Sequence, residues 1–102
     1  MYNLDRIRKE CFWDYHFTND EILSIANSAN EREKKFLFSK ILLNSNEMIQ
    51  DLEIFSFNDL EIYLNDFQVS NFNYDYIFKR KNVAEAYFLG KELLVDELRW
   101  TA

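Results

Sequence analysis

The stretch Asn30-Glu-Arg-Glu-Lys-Lys-Phe-Leu-Phe-Ser-Lys-Ile-Leu-Leu-Asn-Ser45 decides the fold. Asn30 predicts a helix N-cap, because its side-chain oxygen can accept the free amides of a first turn, and Glu33 occupies the matching capping-box position. At about 100° per residue, the apolar side chains that follow cover most of the helix circumference. Such a helix needs neighbours on several sides. The stretch therefore predicts a central helix over residues 31–44, packed within a compact, all-α, multi-helix domain.

The composition favours the same fold class. The 102 residues include one Gly and no Pro, and sheets or elaborate loops usually need more turn residues than that. Apolar residues make up 48% of the chain, which argues against disorder. The length suits one domain, so we expect a single helical domain over residues 1–102. We expect four side chains of the central helix to be almost wholly buried: Phe36, Phe38, Ile41 and Leu42.

The flanking segments predict further helices. Residues 4–10 have an amphipathic pattern, and Thr18 with Glu21 forms a capping box before a helix that reaches Ala26. Between them lies the aromatic segment 11–17, for which core packing is favoured and an exposed binding strip is the alternative. After the central helix, Asn44-Ser-Asn46 predicts either a kink or a new helix.

The last part of the chain allows more than one structure. Ser56 or Asn58 can cap a helix that carries Leu60 to Phe67, and residues 68–73 are polar enough for a loop. Residues 83–89 fit a short helix that Asn82 caps and Gly90 ends, but residues 83–95 also fit a hairpin around Gly90. The helix is favoured. Asp96 can cap a last helical turn that directs Leu98 and Trp100 towards the core.

Cysteine content and hydropathy indicate the compartment. Cys11 is the single cysteine, so no internal disulfide can form, which fits a reducing environment. The first ten residues are charged and have no apolar run behind them, which argues against a signal peptide. No window approaches 18 apolar residues. We therefore expect a cytoplasmic protein that does not enter membranes.

The net charge is −6, and its distribution suggests a partner. No Lys or Arg lies between Ile41 and Phe78, so nothing nearby in sequence offsets the acids there. Such a segment repels phosphate backbones, which makes nucleic acid an unlikely ligand, and attracts a basic partner. A solvated face that only aids solubility is the alternative. The candidate partner-binding residues are Glu47, Asp51, Glu53, Asp59, Glu61 and Asp66.

Catalytic and metal-binding patterns are missing from the sequence. His16 is the one histidine, and Cys11, five residues before it, does not share a helical face with it. A zinc site needs more Cys and His ligands than these two. Gly90 stands alone, so no phosphate-binding glycine loop exists. We expect no catalytic residues, no bound metal and no cofactor, and hence a non-enzymatic protein.

One segment favours an alternative function, that of a nucleic-acid-binding helical adaptor. Residues 74–81 interleave aromatic rings with the only basic run of the chain, which is typical of surfaces that stack bases and contact phosphates. The alternative site comprises Tyr74, Tyr76, Lys79, Arg80 and Lys81. Three cations can neutralise about three phosphates, which gives weak binding at physiological salt.

Four segments carry a resemblance to a known family: Cys11-Phe-Trp-Asp-Tyr15, Glu33 to Ser45, Asp75 to Asn82 and Glu97-Leu-Arg-Trp100. They resemble a family of small bacterial and archaeal proteins, similar to the short partners found beside nucleotidyltransferase toxins of the abortive-infection type. The resemblance implies an antitoxin-like protein that binds and restrains such an enzyme. It implies no catalytic residues. The winged-helix domain of larger antitoxins has no counterpart here, which puts autoregulation through DNA binding in doubt.

Overall fold

A computed structural model describes residues 1–94, and within that range the chain forms six α-helices and no strand. The helices are α1 (Leu4–Cys11), α2 (Asn19–Ala26), α3 (Glu31–Asn44), α4 (Met48–Leu52), α5 (Phe57–Asp66) and α6 (Tyr74–Leu89). The predicted all-α class is confirmed. The helices belong to two compact units, Met1–Ser56 and Phe57–Ala102. The expectation of one domain stays a prediction.

Helix α3 is the centre of the first unit, as predicted. The Asn30 side-chain oxygen accepts the amides of Arg32 and Glu33 at 3.0 and 3.2 Å, which starts the helix. The capping box is not completed, because the Asn30 amide donates to Ser28 Oγ at 2.9 Å rather than to Glu33. Helices α1, α2 and α4 all pack against α3. Its buried side chains are Leu37, Phe38, Ile41 and Leu42.

The prediction that Phe36 is almost wholly buried is wrong, because its side chain remains 38% exposed. It lies where α3 meets the aromatic segment that links α1 to α2. Its ring centroid is 5.9 Å from those of both Phe12 and Tyr15. A loop covers a helix less completely than another helix does, so this edge of α3 is left partly open to water.

Capping explains where α1 and α2 begin. Asn3 Oδ1 accepts the Arg6 amide at 3.0 Å at the start of α1. The predicted Thr18 capping box is confirmed. The Glu21 amide donates to Thr18 Oγ1 at 3.2 Å, and the Thr18 amide donates to Glu21 Oε1 at 3.1 Å. Each helix buries one apolar stripe, which includes Ile7 in α1 and Ile22 in α2.

A new helix, not a kink, follows α3. Ser45 is extended, with φ −73° and ψ 131°, and α4 begins at Met48. The Ser45 hydroxyl accepts the Glu47 amide at 3.1 Å and donates to Asp51 Oδ2 at 2.6 Å. A single buried serine therefore holds the end of α3 against the start of α4.

The second unit contains α5 and α6, which pack against each other. Helix α5 begins at Phe57, so Ser56, not Asn58, precedes its first residue. The predicted start of a helix at Asn82 is wrong, because α6 begins at Tyr74 and runs through this position. The alternative hairpin is also wrong for the described residues, since residues 83–89 are helical and no strand follows.

Asn82 has a different role from capping. Its side chain is buried, its Nδ2 donates to the Glu92 carbonyl at 3.0 Å, and its Oδ1 accepts the Leu94 amide at 2.6 Å. Gly90 ends α6 as predicted, with a left-handed φ of 68°. The segment after the helix is thereby held back against α6. The expectations for Val95, Asp96, Leu98 and Trp100 lie outside the described residues.

Candidate partner-binding surface

The structure removes Asp51 from the predicted acidic surface. Its carboxylate is fully buried and accepts hydrogen bonds from Arg6 Nε at 2.9 Å, Arg6 Nη2 at 2.6 Å and the Asn3 amide at 3.0 Å. Ser45 Oγ donates to it as well. The prediction assumed that no cation was near, but α1 brings Arg6 to Asp51 across 45 residues of sequence. Asp51 is a structural residue.

Glu53 and Glu47 remain at the surface of the first unit. The Glu53 carboxylate pairs with the ammonium group of Met1 at 2.7 Å, so its charge is partly offset. Glu47 is exposed on the N-terminal side of α4. These two acids therefore do not share an uninterrupted negative face with Asp51.

Helix α5 carries the rest of the predicted acids. Glu61 and Asp66 are exposed, and Asp59 is half-buried. Two large apolar side chains are exposed on the same helix, Phe57 at 56% and Ile62 at 50%. Glu61 follows Phe57, and Asp66 follows Ile62, by four residues, which makes them neighbours on the helix surface. At 100° per residue the two pairs lie about 140° apart around the helix, on either side of its exposed surface. These four side chains, Phe57, Glu61, Ile62 and Asp66, are hereafter the α5 face.

Three aromatic residues lie among these acids in the sequence: Phe55, Phe57 and Tyr63. Phe55 and Tyr63 are buried, with 5% and 2% of their side chains exposed. Of these three, Phe57 alone is available to a partner. Tyr63 lies on the buried side of α5, together with Leu60 and Leu64, and Phe55 lies before the helix begins.

The alternative nucleic-acid site lies along α6. Tyr74 and Tyr76 are exposed, and the Arg80 guanidinium lies over the Tyr76 ring at 5.5 Å from its centroid. Lys79 and Arg80 are half-buried. Lys81 Nζ pairs with Glu85 at 3.4 Å, which offsets its charge. The structure therefore brings Tyr76 and Arg80 together but weakens the predicted basic run.

The aromatic segment between α1 and α2 is divided between core and surface. Phe12 is buried, whereas Trp13 is 78% exposed. Tyr15 and Phe17 stack with their centroids 5.4 Å apart, and Lys40 Nζ lies 5.2 Å from the Tyr15 ring. The sequence favoured core packing for this segment and left an exposed binding strip as the alternative, because a loop has no periodicity to separate inner from outer positions. The structure buries some of its rings and exposes others.

Three shallow depressions of the described surface share Phe17 as a lining residue. The first, about 460 Å³, is the basic depression, lined by Arg8, Lys9, Phe12, Trp13, Tyr15, His16 and Phe17. The third, about 440 Å³, is the acidic groove, lined by Phe17, Asp20, Glu21, Ser24, Ile25, Glu33 and Phe36. The middle depression, about 370 Å³, is lined by Arg8, Phe17, Thr18, Asn19 and Asp20. Opposite charges thus lie on neighbouring parts of one surface.

Two charged groups of α1 have shifted pKa values. The pKa of Asp5 lies below its ordinary value of 3.8, chiefly because Asn19 Nδ2 donates to it at 2.8 Å, with Arg8 contributing a second hydrogen bond. The pKa of Arg6 is raised above its ordinary value, chiefly by the hydrogen bonds to Asp51, against the opposing effect of burial. Both groups are ionised at neutral pH.

Residues 1–94 contain no cluster of His, Cys, Asp and Glu arranged to hold a metal ion. The Cys11 thiol is buried, and His16 is exposed. Across the same part of the chain, every helix is too short or too polar to cross a membrane. Comparison of the chain with protein-family models, with curated proteins and with solved structures finds no match.

Proposed function

We propose that the chain is a non-enzymatic, antitoxin-like binding protein that restrains a nucleotidyltransferase through an acidic and aromatic surface. The α5 face is the observation that carries the proposal. It combines an exposed aromatic ring, Phe57, with the exposed carboxylates of Glu61 and Asp66. Apolar anchors supply most of the binding energy of an interface, and charges select the partner.

The proposed mechanism is competition for a basic cleft. A nucleotidyltransferase binds the phosphates of its nucleotide, and Lys and Arg side chains are the groups that bind phosphate. Carboxylates on a rigid helix can occupy the same positions. Glu61 and Asp66 are 5 residues apart on a helix of 10, which places them about 140° apart around its axis, so a cleft that encloses the exposed side of α5 would contact them from two sides. Phe57 then packs beside Glu61 on one wall of the cleft, and Ile62 packs beside Asp66 on the other.

The compartment follows from the same proposal. A partner that acts on nucleotides or nucleic acid works in the cytoplasm, and the single, buried cysteine, Cys11, cannot form an internal disulfide, which is compatible with a reducing environment. We propose a cytoplasmic location on this basis.

The decisive variant is Glu61→Lys, tested against a nucleotidyltransferase encoded beside the gene of this chain. We expect the association rate at low salt to fall about tenfold, because charges at an interface act mainly on the rate of encounter. The matched control is Asp14→Lys, which makes the same charge change at an exposed position of the other unit. An equal loss in both variants would point to net charge alone and contradict the α5 face.

A second variant tests the aromatic anchor. Phe57→Ala should raise the dissociation rate about tenfold or more, the size of effect expected for a hot-spot aromatic, with little change in the association rate. Phe72→Ala is the control, since Phe72 is 80% exposed outside the α5 face. Unchanged dissociation in Phe57→Ala argues against α5 as the contact helix.

The Tyr76–Arg80 pair supports the alternative proposal, a nucleic-acid-binding adaptor, since a ring beside a guanidinium can stack a base and contact a phosphate. The two proposals predict opposite signs. For a nucleic-acid ligand, Glu61→Lys should strengthen binding and Arg80→Gln should weaken it. Fluorescence anisotropy with a labelled single-stranded RNA, at two salt concentrations, distinguishes them.

A further inference from the structure

We propose that the surface centred on Phe17 is a self-association surface, on which a second copy of the chain docks through a two-fold axis. In this arrangement the basic depression of each copy faces the acidic groove of the other. The surface is hereafter the Phe17 patch. The proposal does not rest on the proposed function, which uses the α5 face and a different partner.

The two ends of the patch carry opposite charge. The residues that line the basic depression include the cations Arg8 and Lys9 and no carboxylate, and Arg8 also pairs with Asp5, outside the depression, at 3.5 Å. The residues that line the acidic groove include Asp20, Glu21 and Glu33 and no cation. Each end therefore attracts the opposite end of another copy and repels its own kind.

The middle depression connects the two ends. Its lining includes Arg8, which also lines the basic depression, and Asp20, which also lines the acidic groove. Phe17 lines all three depressions. In a two-fold interface the same patch is used by both copies, so residue i of one contacts residue j of the other and the reverse. A patch that is positive on one side of the axis and negative on the other is self-complementary. An axis near Phe17 meets this requirement.

The centre of the patch is aromatic, as the core of a protein interface usually is. Trp13 is 78% exposed, and Tyr15 and Phe36 are each 38% exposed. Trp and Tyr are the residues most often found as interface hot spots, since they bury a large rigid surface at little entropic cost. Burial of these rings supplies the affinity, and the flanking charges fix the orientation.

A second copy fits this patch better than a partner of one charge does. A basic protein would meet Lys9, and an acidic protein or a nucleic acid would meet Asp20 and Glu33. Either would leave like charges facing each other, at a cost that interfaces avoid. The two-fold related copy satisfies both ends at once.

Lys9 and Glu33 are the charges best suited to a test. Arg8 is already bonded to Asn19, at 3.0 Å, and Glu21 to the Thr18 amide. The side chains of Lys9 and Glu33 are both exposed, and Lys9 acts on Asp5 through its charge alone, so we expect each exchange to leave the unit folded.

The experiment is a charge exchange between copies, read by sedimentation velocity across a concentration series. Lys9→Glu alone and Glu33→Lys alone should each weaken the dimer about tenfold or more, because each interface then holds two like-charge contacts. An equimolar mixture of the two variants should dimerise as well as the wild type. In the mixed dimer, position 9 of each copy again faces the opposite charge at position 33.

A matched mixture controls for net charge. Lys9→Glu changes the formal charge from −6 to −8, and Glu33→Lys changes it from −6 to −4. Arg32→Glu and Glu61→Lys give the same two values at exposed positions outside the patch. Each of these variants should dimerise like the wild type, and mixing them should not increase the fraction of dimer. Circular dichroism checks that all four proteins are folded.

Three results would overturn the proposal. The first is a wild type that stays monomeric over the whole concentration series. The second is a dimer that Lys9→Glu and Glu33→Lys leave unchanged. The third is a mixture that fails to recover the dimer although both proteins are folded. Trp13→Ala provides an independent check, since loss of this exposed ring should weaken the dimer about tenfold and Phe72→Ala should not.

Discussion

Arg6 and Asp51 form a two-pronged ion pair between α1 and α4, with Nε–Oδ2 at 2.9 Å and Nη2–Oδ1 at 2.6 Å. The Asn3 amide and the Ser45 hydroxyl donate to the same carboxylate. One buried acid therefore joins the N-terminal segment, the end of α3 and the start of α4. Its removal would leave four donor groups without their acceptor, among them the fully buried Ser45 hydroxyl and the guanidinium of Arg6, whose side chain is 21% exposed.

Asp51→Ala should lower the free energy of unfolding by about 3 kcal/mol, because it leaves the Arg6 guanidinium without its buried counter-charge. Urea denaturation measures the loss. Glu47→Ala is the control, since Glu47 is an exposed acid near α4, and it should change stability by less than about 0.5 kcal/mol. Equal losses in the two variants would show that the network does not stabilise the fold.

Phe38→Ala should cost about 3–5 kcal/mol, because Phe38 is almost fully buried on α3 and its removal leaves a cavity. Phe36→Ala is the matched comparison on the same helix. Its ring is 38% exposed, so it should cost clearly less. Chemical denaturation of both variants gives the difference. A loss under 1 kcal/mol for Phe38→Ala means that α3 is not the centre of the core.

Asn19→Ala should raise the pKa of Asp5 towards its ordinary value of 3.8, because the Asn19 hydrogen bond is the main cause of the lowered pKa. NMR titration of the Asp5 carboxyl carbon measures this shift. Lys91→Ala, far along the chain, is the control and should leave the Asp5 titration unchanged. An Asp5 titration that does not move in Asn19→Ala contradicts the assignment.

The sign of the pH dependence follows from the direction of that shift. A carboxyl group whose folded pKa is lowered binds fewer protons in the folded than in the unfolded state. Its stabilising effect is present above pH 3.8 and is lost as the pH falls through the lower folded value. Asp5→Asn should remove this part of the acid dependence. The pKa of Arg6 is raised in the folded state, so its stabilising effect is fully present at any pH below its pKa in the unfolded chain. Neutral pH lies far below that pKa, so Arg6 causes no change in stability there.

Asn82→Ala should release the segment that follows α6, because the Asn82 amide holds both Glu92 and Leu94. We expect faster hydrogen exchange at the Leu94 amide and a loss of about 1–3 kcal/mol in stability. Tyr87→Ala, an exposed position on the same helix, is the control. Retained protection of the Leu94 amide would show that Asn82 does not anchor this segment.

The positions of the helices could be read largely from local chemistry. Asn30 and Thr18 cap their helices as predicted, and Gly90 ends α6 in the left-handed conformation that Gly adopts most readily. These contacts span a few residues, so the sequence alone determines them. One prediction from local chemistry, the helix start at Asn82, was wrong. Asn82 and Glu85 have capping-box spacing, but the helix that starts at Tyr74 continues through them because Asn82 is satisfied by residues 92 and 94.

The candidate surfaces depended on contacts between distant parts of the chain. Sequence spacing assigned Asp51 to an acidic face, and only packing of α1 against the rest of its unit shows that Arg6 neutralises it. The same holds for the Phe17 patch, where Lys9 and Glu33 come from different helices. The sequence by itself determined the all-α class and the central helix, since caps and periodicity act locally. Only the tertiary structure decided which charges are buried and which are exposed, because burial depends on neighbours tens of residues away.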